Sequence, residues 1–338
     1  MREILHNQLY RWYDQNKRVL PWRETNDAYR IWLSEIILQQ TRVEQGLPYY
    51  LRFVERFPDV RTLAEASEDE VLRYWQGLGY YSRARNLHKA AQQVVKNGQE
   101  PFPSDYEAIR ALPGIGDYTA GAIAAFAYNQ PYPALDGNVY RVLSRLTNSA
   151  IAFDTTAGKK HFHKVAEELL DRANARLFDS AIMEFGALWC MPQSPDCESC
   201  PLEMICLAKA HHTVDLLPVR KPRLQLRDRY LNYSIYLCKQ EGKEMQTLIR
   251  QRQGNDIWKH LWEFPLRETD RAFEATDVPH TDLTHILSHQ RLHARFNIYK
   301  VSKLPEVADT KIVKLNELDN YAFSRLTLKA LERLGLGG

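Results

Sequence analysis

The stretch that decides the fold runs from residue 104 to residue 146 and reads SDYEAIRALPGIGDYTAGAIAAFAYNQPYPALDGNVYRVLSRL. Ser104 and Glu107 have the spacing of a capping box, which predicts that a helix begins here. Pro113 ends this helix, because proline cannot continue a regular helical hydrogen-bond pattern. The stretch therefore opens with one short helix.

The two glycines that follow predict a tight hairpin between helices. Gly114 and Gly116 allow backbone conformations closed to other residues, and the next helix is predicted over residues 118–127. Its first turn has unpaired N–H groups that suit a phosphate. This pattern indicates a helix-hairpin-helix that grips a nucleic-acid backbone without reading its sequence. An ordinary turn between two helices fits the same glycines.

Asp136 stands immediately before a helix predicted over residues 138–146, which is an N-cap position. A carboxylate there accepts backbone N–H bonds and lies near the positive end of the helix, and both effects favour its ionised form. A capping role alone explains the residue equally well. Chemistry requires a second carboxylate.

Glu35 is the second carboxylate, in a helix predicted over residues 29–45. Its neighbours at helical spacing are Ile31, Trp32 and Leu38, all apolar. A desolvated carboxyl group has a raised pKa and keeps a proton near neutral pH. The alternative is an ordinary glutamate at a solvated edge.

Glu35 and Asp136 together predict a specific chemistry. Two carboxyl groups whose environments separate their pKa values supply an acid and an anion at one pH. Cleavage of a glycosidic bond needs both, a proton for the leaving group and a negative charge beside the oxocarbenium ion. The pair is the candidate catalytic centre.

Composition limits the remaining possibilities. With 338 residues, 44% of them hydrophobic, the chain has room for two domains with real cores. Lys and Arg number 45 against 42 Asp and Glu, a net charge of +3, so any nucleic-acid surface must be local. We find no apolar run of about 18 residues and no signal-peptide pattern at the start, so we expect no membrane span and a cytoplasmic protein.

The cysteines are clustered. Cys190, Cys197, Cys200 and Cys206 have the spacing C-x6-C-x2-C-x5-C, which suits one metal centre and fits a reducing cytosol. Zinc and an iron–sulfur cluster both accept four thiolates. The spacing matches neither common zinc pattern. Cys238 stands apart and is predicted to be a buried strand residue.

Further helices are predicted over residues 3–16, 61–96 and 159–189, the second interrupted at residues 77–81. This interruption reads GLGYY and precedes several arginines. An aromatic loop flanked by glycines can wedge into a base stack. The alternative is that Tyr80 and Tyr81 are core aromatic residues beside a turn.

The last third of the chain changes character. A basic linker, residues 210–229, contains Pro218 and Pro222 and either follows DNA phosphates or is a solvated connector. Its cations are Arg220, Lys221, Arg223, Arg227 and Arg229. Beyond it, YLNYSIYLCK, QTLIRQR and ARFNIYKV alternate as strands do, LWEFP at residues 261–265 interrupts them, and residues 322–335 predict a closing helix. This is a small α+β domain.

The sequence resembles a known family over about residues 8 to 208. The hairpin, LDGNVYRVLSR and the cysteine spacing resemble the endonuclease III superfamily of helix-hairpin-helix DNA glycosylases. LPWR, SEIILQQTRV, GLGYYSRARNL and LDGNV resemble adenine DNA glycosylases of the MutY type. The resemblance implies a mainly α, two-module fold with a [4Fe-4S] cluster on the four cysteines.

This resemblance implies excision of adenine mispaired with 8-oxoguanine, or with guanine, after the nucleotide flips out of double-stranded DNA. By motif match, Glu35 is the acid that protonates adenine, Asp136 stabilises the sugar cation, and Tyr118 and Asn138 assist them. Bifunctional relatives carry lysine where this chain has Tyr118. Since tyrosine offers no amine, a monofunctional enzyme is expected.

The resemblance also implies contacts to DNA. Gln40 and Tyr80 match residues that wedge near the mismatch, and Thr41 and Leu78 match contacts to the base on the lesion side. The adenine pocket matches Trp22, Arg23, Leu38, Val43 and Met183. Ser180 is a departure, because relatives often carry Glu or Gln there.

The domains expected from this resemblance are residues 1–209 for catalysis, 210–229 as linker and 230–338 as a Nudix-like recognition domain. The last lacks the Glu-rich metal-binding box, so recognition without hydrolysis is expected. Leu287, Ser288 and His289 stand where relatives have Phe-Ser-His, and Ser288 is the implied contact to 8-oxoguanine. We expect a monomer associated with the nucleoid.

Three rival functions are compatible with parts of this sequence. A thymine or oxidised-pyrimidine glycosylase would use the same fold. A non-catalytic iron–sulfur DNA-binding protein would need neither Glu35 nor Asp136. A nucleotide hydrolase acting through the last domain is disfavoured by the absent box.

Overall fold

The computed structural model of the protein describes residues 2–222, 225–242 and 244–336. They divide into two compact units, the first formed by Met1–Ala64 and Lys89–Pro222, the second by Glu65–His88 and Arg223–Gly338. Helices followed by a smaller α+β part confirm the predicted fold class. The domain boundaries stay a prediction, and Arg223 lies outside the described residues.

The helices follow one another through the first two thirds of the chain, and one more closes it. In chain order they are α1 (Arg2–Asn16), α2 (Ala28–Leu38), α3 (Val43–Arg56), α4 (Val60–Glu65), α5 (Glu68–Trp75), α6 (Ser82–Lys96), α7 (Tyr106–Arg110), α8 (Asp117–Tyr128), α9 (Gly137–Leu146), α10 (Thr156–Leu169), α11 (Ala175–Leu188), α12 (Leu207–Ala210) and α13 (Arg325–Arg333).

The core of the first unit is built around α8, α9 and α11. α2 packs on α8, and α11 packs on α1, α8 and α9. The small side chains of α8 are buried from Thr119 to Ala125, as its alanine-rich sequence predicted. At Gly186 the backbone of α11 passes close to Asn138 on α9, since a Cβ built there would lie 2.8 Å from the Asn138 Cβ. This close approach places α11 beside the start of α9.

Among the helix boundaries that differ from the prediction, two lie close to the candidate site. The helix predicted over residues 29–45 is wrong as one element, because Gln40 has a left-handed φ of 57° and separates α2 from α3. The N-cap of α7 is Asp105 instead of Ser104, and its carboxylate accepts the N–H of Ala108 at 2.9 Å. A carboxylate one residue closer to the helix caps it directly.

The second unit contains a mixed sheet. Its strands are β1 (Arg227–Cys238), β2 (Gln246–Gln251), β3 (Trp262–Glu263), β4 (Leu266–Thr269), β5 (His280–Ile286), β6 (Gln290–Val301) and β7 (Thr310–Lys314). The order is β3-β2-β1-β6-β5, with β4 also paired to β1 and β7 to β2. β1 and β6 are parallel, whereas the other pairs are antiparallel. α13 packs against β5.

The predicted strands and closing helix are present, and Cys238 is buried at 2% exposure as predicted. The prediction missed β4, β5 and β7. It was also wrong to leave residues 261–265 without a strand, because β3 lies there. β5 escapes a periodicity search since its polar residues outnumber its apolar ones on both faces, and the strand is held by its pairing with β6.

The interruption at residues 77–81 belongs to the second unit. The Tyr81 hydroxyl donates to the carbonyl oxygen of Phe323 at 3.1 Å, and Tyr81 is 3% exposed. Tyr80 is 48% exposed with a left-handed φ of 47°. The two alternatives for this loop therefore apply to different residues: Tyr81 is a core aromatic, and Tyr80 stays available for a partner.

The basic segment is more ordered than predicted. Arg227 and Arg229 lie in β1, and Arg229 is only 8% exposed in ion pairs with Asp256 and Glu268. Neither alternative for the segment, a stretch along DNA phosphates or a solvated connector, fits Arg229, because its charge is already paired inside the second unit. No helix in the described part of the chain is long and apolar enough to cross a membrane.

Candidate active site

The first unit contains a cavity of about 1000 Å³. Its walls come from α2, the turn after α2, the hairpin before α8, the start of α9, and α11. Thirteen of the predicted site residues line it: Trp22, Arg23, Glu35, Leu38, Gln40, Thr41, Val43, Gly114, Gly116, Tyr118, Asp136, Asn138 and Met183. Ser180 lines it too. Leu78, Tyr80, Ser288 and His289 belong to the second unit.

Glu35 is held in an apolar wall of this cavity. Its side chain comes from α2, whose residues from Ile31 to Ile37 are all buried, and Glu35 itself is 8% exposed. Burial raises the pKa of Glu35 to about 7. The hydroxyl of Tyr118 donates to Oε2 at 2.8 Å and opposes this rise, as does the charge of Arg23, while Asp136 adds to it. Glu35 therefore carries a proton in a substantial fraction of molecules near neutral pH.

Asp136 caps α9 as predicted. Its Oδ1 accepts the backbone N–H groups of Asn138 and Val139, both at 2.8 Å, and its Oδ2 accepts the side-chain amide of Asn138 at 2.8 Å. These bonds lower the pKa of Asp136, but burial outweighs them, so that the net shift is upward. The predicted effect of the cap is therefore present, but the local sequence does not show the burial that outweighs it. All three bonds nevertheless favour the anion.

The two carboxyl groups share the cavity and differ in their partners. Glu35 accepts one hydroxyl hydrogen bond, whereas Asp136 accepts three N–H bonds at a helix start. Asn138 is itself fixed, since its Oδ1 accepts from the buried Arg141 at 2.9 Å. The geometry thus supplies one group suited to hold a proton and another suited to stay charged.

A buried ion cluster on the cavity wall was missed by the sequence analysis. The Glu184 side chain is fully buried and pairs with Arg18 at 2.8 Å and with Arg23 at 2.7 Å. Burial raises the pKa of Glu184, but the two arginines outweigh burial and the net shift is downward. The signal in the sequence is limited to an acidic residue within α11. The partners come from a distant segment that pattern alone does not connect to it.

The hairpin has the geometry of an anion site. Gly114 has φ of 78°, as a left-handed turn requires, whereas Gly116 has φ of −101° and is the N-cap of α8. Only Gly114 thus needs glycine for its backbone conformation. No side chain caps the first N–H groups of α8, in the part of the chain that is described. These donors remain available to a phosphate.

The four clustered cysteines lie after α11. Cys190, Cys200 and Cys206 pack against the core of the first unit. Burial raises the pKa of the Cys200 thiol to about 12, and the charges of the other three cysteines add to the rise. Within the described ranges, no group of three or more His, Cys, Asp or Glu side chains is placed to hold a metal ion.

Ser288 and His289 form the exposed turn between β5 and β6. Leu287 before them packs partly against the core of the second unit. Oγ of Ser288 lies 3.1 Å from Nδ1 of His289. The turn thus presents one hydroxyl and one imidazole at the end of a hairpin.

Comparison with known proteins identifies the family. Residues 33–171 match the HhH-GPD superfamily of base excision DNA repair proteins, and residues 233–333 match the NUDIX domain. The adenine DNA glycosylase of Buchnera aphidicola subsp. Baizongia pistaciae (strain Bp) is 34% identical over 276 residues, which are 79% of this chain and 75% of that relative. This chain belongs to the adenine DNA glycosylase family.

Other members of the adenine DNA glycosylase family extend well beyond the shared region. The adenine DNA glycosylase of Rattus norvegicus is 44% identical over 217 residues, which are 61% of this chain and 41% of the rat protein. The chain therefore matches less than half the length of that relative. Among solved structures, a thermostable thymine-DNA glycosylase is similar with a TM-score of 0.58 at 26% identity, covering 62% of this chain and 97% of that one.

Proposed function

We propose that this protein is a monofunctional glycosylase that removes adenine mispaired with 8-oxoguanine, or with guanine, from double-stranded DNA during base excision repair. The observation that carries the proposal is the pair of carboxyl groups in one cavity, Glu35 with a pKa raised to about 7 and Asp136 with three hydrogen-bond donors. A cavity of about 1000 Å³ has room for a flipped nucleoside. Membership of the adenine DNA glycosylase family supports the choice of base.

The reaction begins with proton transfer. The carboxyl group of Glu35 gives its proton to a ring nitrogen of adenine, and the glycosidic C–N bond breaks with its electron pair leaving on the base. The sugar becomes an oxocarbenium ion, which the negative charge of Asp136 stabilises. Water adds to the sugar and loses a proton to Glu35, leaving an abasic site.

Strand cleavage is not expected to follow. A lyase reaction needs an amine that forms a Schiff base with the abasic sugar. The position at the hairpin is occupied by Tyr118, and burial raises the pKa of its hydroxyl far above the usual value. Tyr118 therefore remains a protonated donor to Glu35 and supplies no nucleophile.

We assign the remaining predicted residues to binding. In the cavity, Leu38, Val43, Met183 and Trp22 form an apolar setting for the base, and Arg23 adds a cation. The hairpin with Gly114 and Gly116 is proposed to hold a phosphate. Contacts around the mismatch are assigned to Gln40, Thr41, Leu78, Tyr80, Ser288 and His289.

We assign a [4Fe-4S] cluster to the four cysteines on the chemistry of their thiolate donors. The four thiols are partly buried, and the charges of Cys190, Cys197 and Cys206 add to the raised pKa of Cys200, so a cationic centre is needed before all four ionise. Arg145 is 1% exposed, and its Nη1 lies 3.3 Å from Sγ of Cys190 and 2.7 Å from the Met191 carbonyl oxygen. A buried guanidinium against a sulfur favours an anionic group at this loop. Cys190, Cys197, Cys200 and Cys206 would hold the cluster, which supplies a redox-active centre and cross-links the loop when bound.

The proposed partner is DNA, and the proposed state is a monomer in the cytoplasm, associated with the nucleoid. The second unit matches a NUDIX domain, yet its sequence lacks the Glu-rich box that holds metal in Nudix hydrolases. We therefore assign it to recognition of the base opposite adenine, without hydrolysis of nucleotides.

The deciding experiment is a base-release assay on four duplexes, containing A:8-oxoG, A:G, G:T or thymine glycol. We expect adenine release from the first two and no release from the others. Glu35→Gln should lower the single-turnover rate by roughly 10²–10⁴-fold, the usual contribution of general acid catalysis, while DNA binding persists. Release of thymine, or a near wild-type rate for Glu35→Gln, would refute the proposal. Absorption near 400 nm tests the iron–sulfur cluster separately.

A further inference from the structure

The turn that carries Ser288 is connected to a buried arginine. Oε1 of Gln290, the first residue of β6, accepts from Nη1 of Arg229 at 3.0 Å. Arg229 is fixed in turn, because Nε donates to Glu268 at 2.7 Å and Nη2 donates to Asp256 at 2.7 Å. With two carboxylates on a side chain that is 9% exposed, the guanidinium has little freedom to move. The exposed turn therefore has a rigid anchor.

This anchor decides the orientation of the next two groups. A guanidinium has no acceptor, so the amide oxygen of Gln290 must face Arg229 and its NH₂ must face the other way. That NH₂ lies 2.8 Å from Nε2 of His289. Because an amide NH₂ only donates, Nε2 of His289 must accept.

The tautomer of His289 follows from that requirement. A neutral imidazole whose Nε2 accepts carries its hydrogen on Nδ1. Nδ1 lies 3.1 Å from Oγ of Ser288, and its hydrogen therefore points at the serine oxygen. The serine hydroxyl accepts from His289 and keeps its own hydrogen free. In the opposite tautomer, the Ser288 hydroxyl would donate its hydrogen to Nδ1 of His289.

We infer that Arg229 is a positioning residue which, through Gln290 and His289, makes the Ser288 hydroxyl an outward donor for the carbonyl oxygen at C8 of the base opposite adenine. This inference rests on the proposed function. 8-Oxoguanine has a carbonyl at C8 where guanine has a C–H, so a fixed hydroxyl donor favours the oxidised base. The chain of hydrogen bonds from Arg229 through Gln290 and His289 to Ser288 is called the relay here. The relay sets which base is preferred opposite adenine, whereas Glu35 and Asp136 act on adenine.

Gln290→Glu tests the relay with little change of shape. One carboxylate oxygen keeps the partner of Arg229, and the other accepts from His289, whose neutral ring must then carry its hydrogen on Nε2. Ser288 would donate into the vacated Nδ1 and lose its outward hydrogen. The preference for A:8-oxoG over A:G in single-turnover adenine release should fall by about 3- to 10-fold, as expected for one hydrogen bond, and match the fall in Ser288→Ala.

Control variants distinguish the loss of the relay from the effect of an added charge and from unfolding of the second unit. Gln253→Glu makes the same substitution at an exposed glutamine of the second unit, which donates to Gln251 at 3.2 Å, and should leave the preference unchanged. Gln290→Leu breaks the relay without adding charge and should lower the preference as well. Thermal unfolding of each variant shows whether the second unit stays folded.

The full-length protein labelled with ¹⁵N-histidine reports the tautomer directly, with His289→Gln used to identify the signal. We expect His289 to carry its hydrogen on Nδ1 in the wild type and on Nε2 in Gln290→Glu. A wild-type Nε2–H form, or a reversed tautomer with unchanged preference, overturns the inference. If Ser288→Ala keeps the preference while adenine is still released, lesion reading by Ser288 and this relay both fail and the glycosylase assignment stands. If no adenine is released from either duplex, the proposed function fails.

Discussion

Tyr118 donates its hydroxyl hydrogen to Oε2 of Glu35 across 2.8 Å, joining the start of α8 to the middle of α2. A hydrogen bond to a carboxylate favours the charged form, so Tyr118 lowers the pKa of Glu35 while burial raises it to about 7. The pKa of Glu35 is therefore determined by two opposing effects, burial and the hydrogen bond from Tyr118. Removing either one shifts the pH at which Glu35 carries a proton.

Tyr118→Phe should raise the pKa of Glu35 above its wild-type value. Because Glu35 must be protonated to act, wild-type activity falls as the pH rises through about 7, and in the variant this fall should occur at higher pH. The measurement is the single-turnover rate of adenine release between pH 5 and pH 9. Tyr128→Phe, which removes the hydroxyl that donates to the Phe102 carbonyl oxygen at 3.3 Å, is the matched control. A descending limb at or below the wild-type position would contradict this account.

The same raised pKa has a consequence for stability. A group whose pKa is higher in the folded state stabilises the fold at low pH, and this contribution is lost as the pH rises from the unfolded value through the folded one. For Glu35 that window extends from 4.5 to about 7. Glu35→Gln carries no charge at any pH, so its Tm relative to the wild type should rise between pH 5 and pH 8. A constant difference in Tm across this range would show that Glu35 has an ordinary pKa.

Asp136→Asn removes the charge while keeping the cap. Asparagine is as good an N-cap as aspartate, so the thermal stability of the first unit should change little. The oxocarbenium ion would lose its counter-charge, and the rate of adenine release should fall on the order of 10²–10³-fold, as for other transition-state electrostatic contacts. Binding of an uncleaved A:8-oxoG duplex, measured in parallel, should persist. A rate within a factor of a few of the wild type would remove Asp136 from the mechanism.

Glu184 controls the charge that Arg23 presents to Glu35. Arg23 lowers the pKa of Glu35, and pairing with Glu184 at 2.7 Å limits that effect. Glu184→Gln should release the full charge of Arg23, lower the pKa of Glu35 and move the descending limb of the rate profile to lower pH. The control is Glu44→Gln, since the Glu44 side chain is 76% exposed and lies 4.0 Å from Arg18. If the descending limb of the rate profile stays at the wild-type pH in a folded Glu184→Gln protein, Glu184 does not influence the pKa of Glu35.

Glu35 and Asp136 could be predicted as site residues because the pattern that identifies each of them is local in the sequence. An acidic residue on an apolar helix face and an aspartate before a helix start are both defined by neighbours within four positions. The position of Glu184 beside Arg18 was invisible, since the partners are 166 positions apart. The net upward shift of the Asp136 pKa could not be predicted for a related reason. Capping is a property of the local sequence, whereas the burial that outweighs it depends on the packing of the whole first unit.

The fold shows the same contrast between features that follow from the local sequence and features that do not. Helix positions followed from periodicity and from glycine and proline, but the break at Gln40, which has a left-handed φ of 57°, did not, because no residue there forbids a helix. β5 was missed because its burial pattern is mostly exposed and it is stabilised by pairing with β6. For β5, pairing with a neighbouring strand thus overrides the preference of the local sequence.

Gly186 fixes the distance between α11 and the residue that orients Asp136. A Cβ added there would lie 2.8 Å from the Asn138 Cβ and 2.9 Å from its carbonyl oxygen, so Gly186→Ala should force α9 and α11 apart. We expect a loss of about 1–3 kcal/mol in the free energy of unfolding, the usual cost of overpacking, together with slower adenine release as Asn138 shifts from Asp136. Gly137→Ala is the stability control, because a Cβ at Gly137 meets no atom within 4 Å. Denaturant unfolding of both variants checks the packing, and equal stability of the two would disprove the close approach.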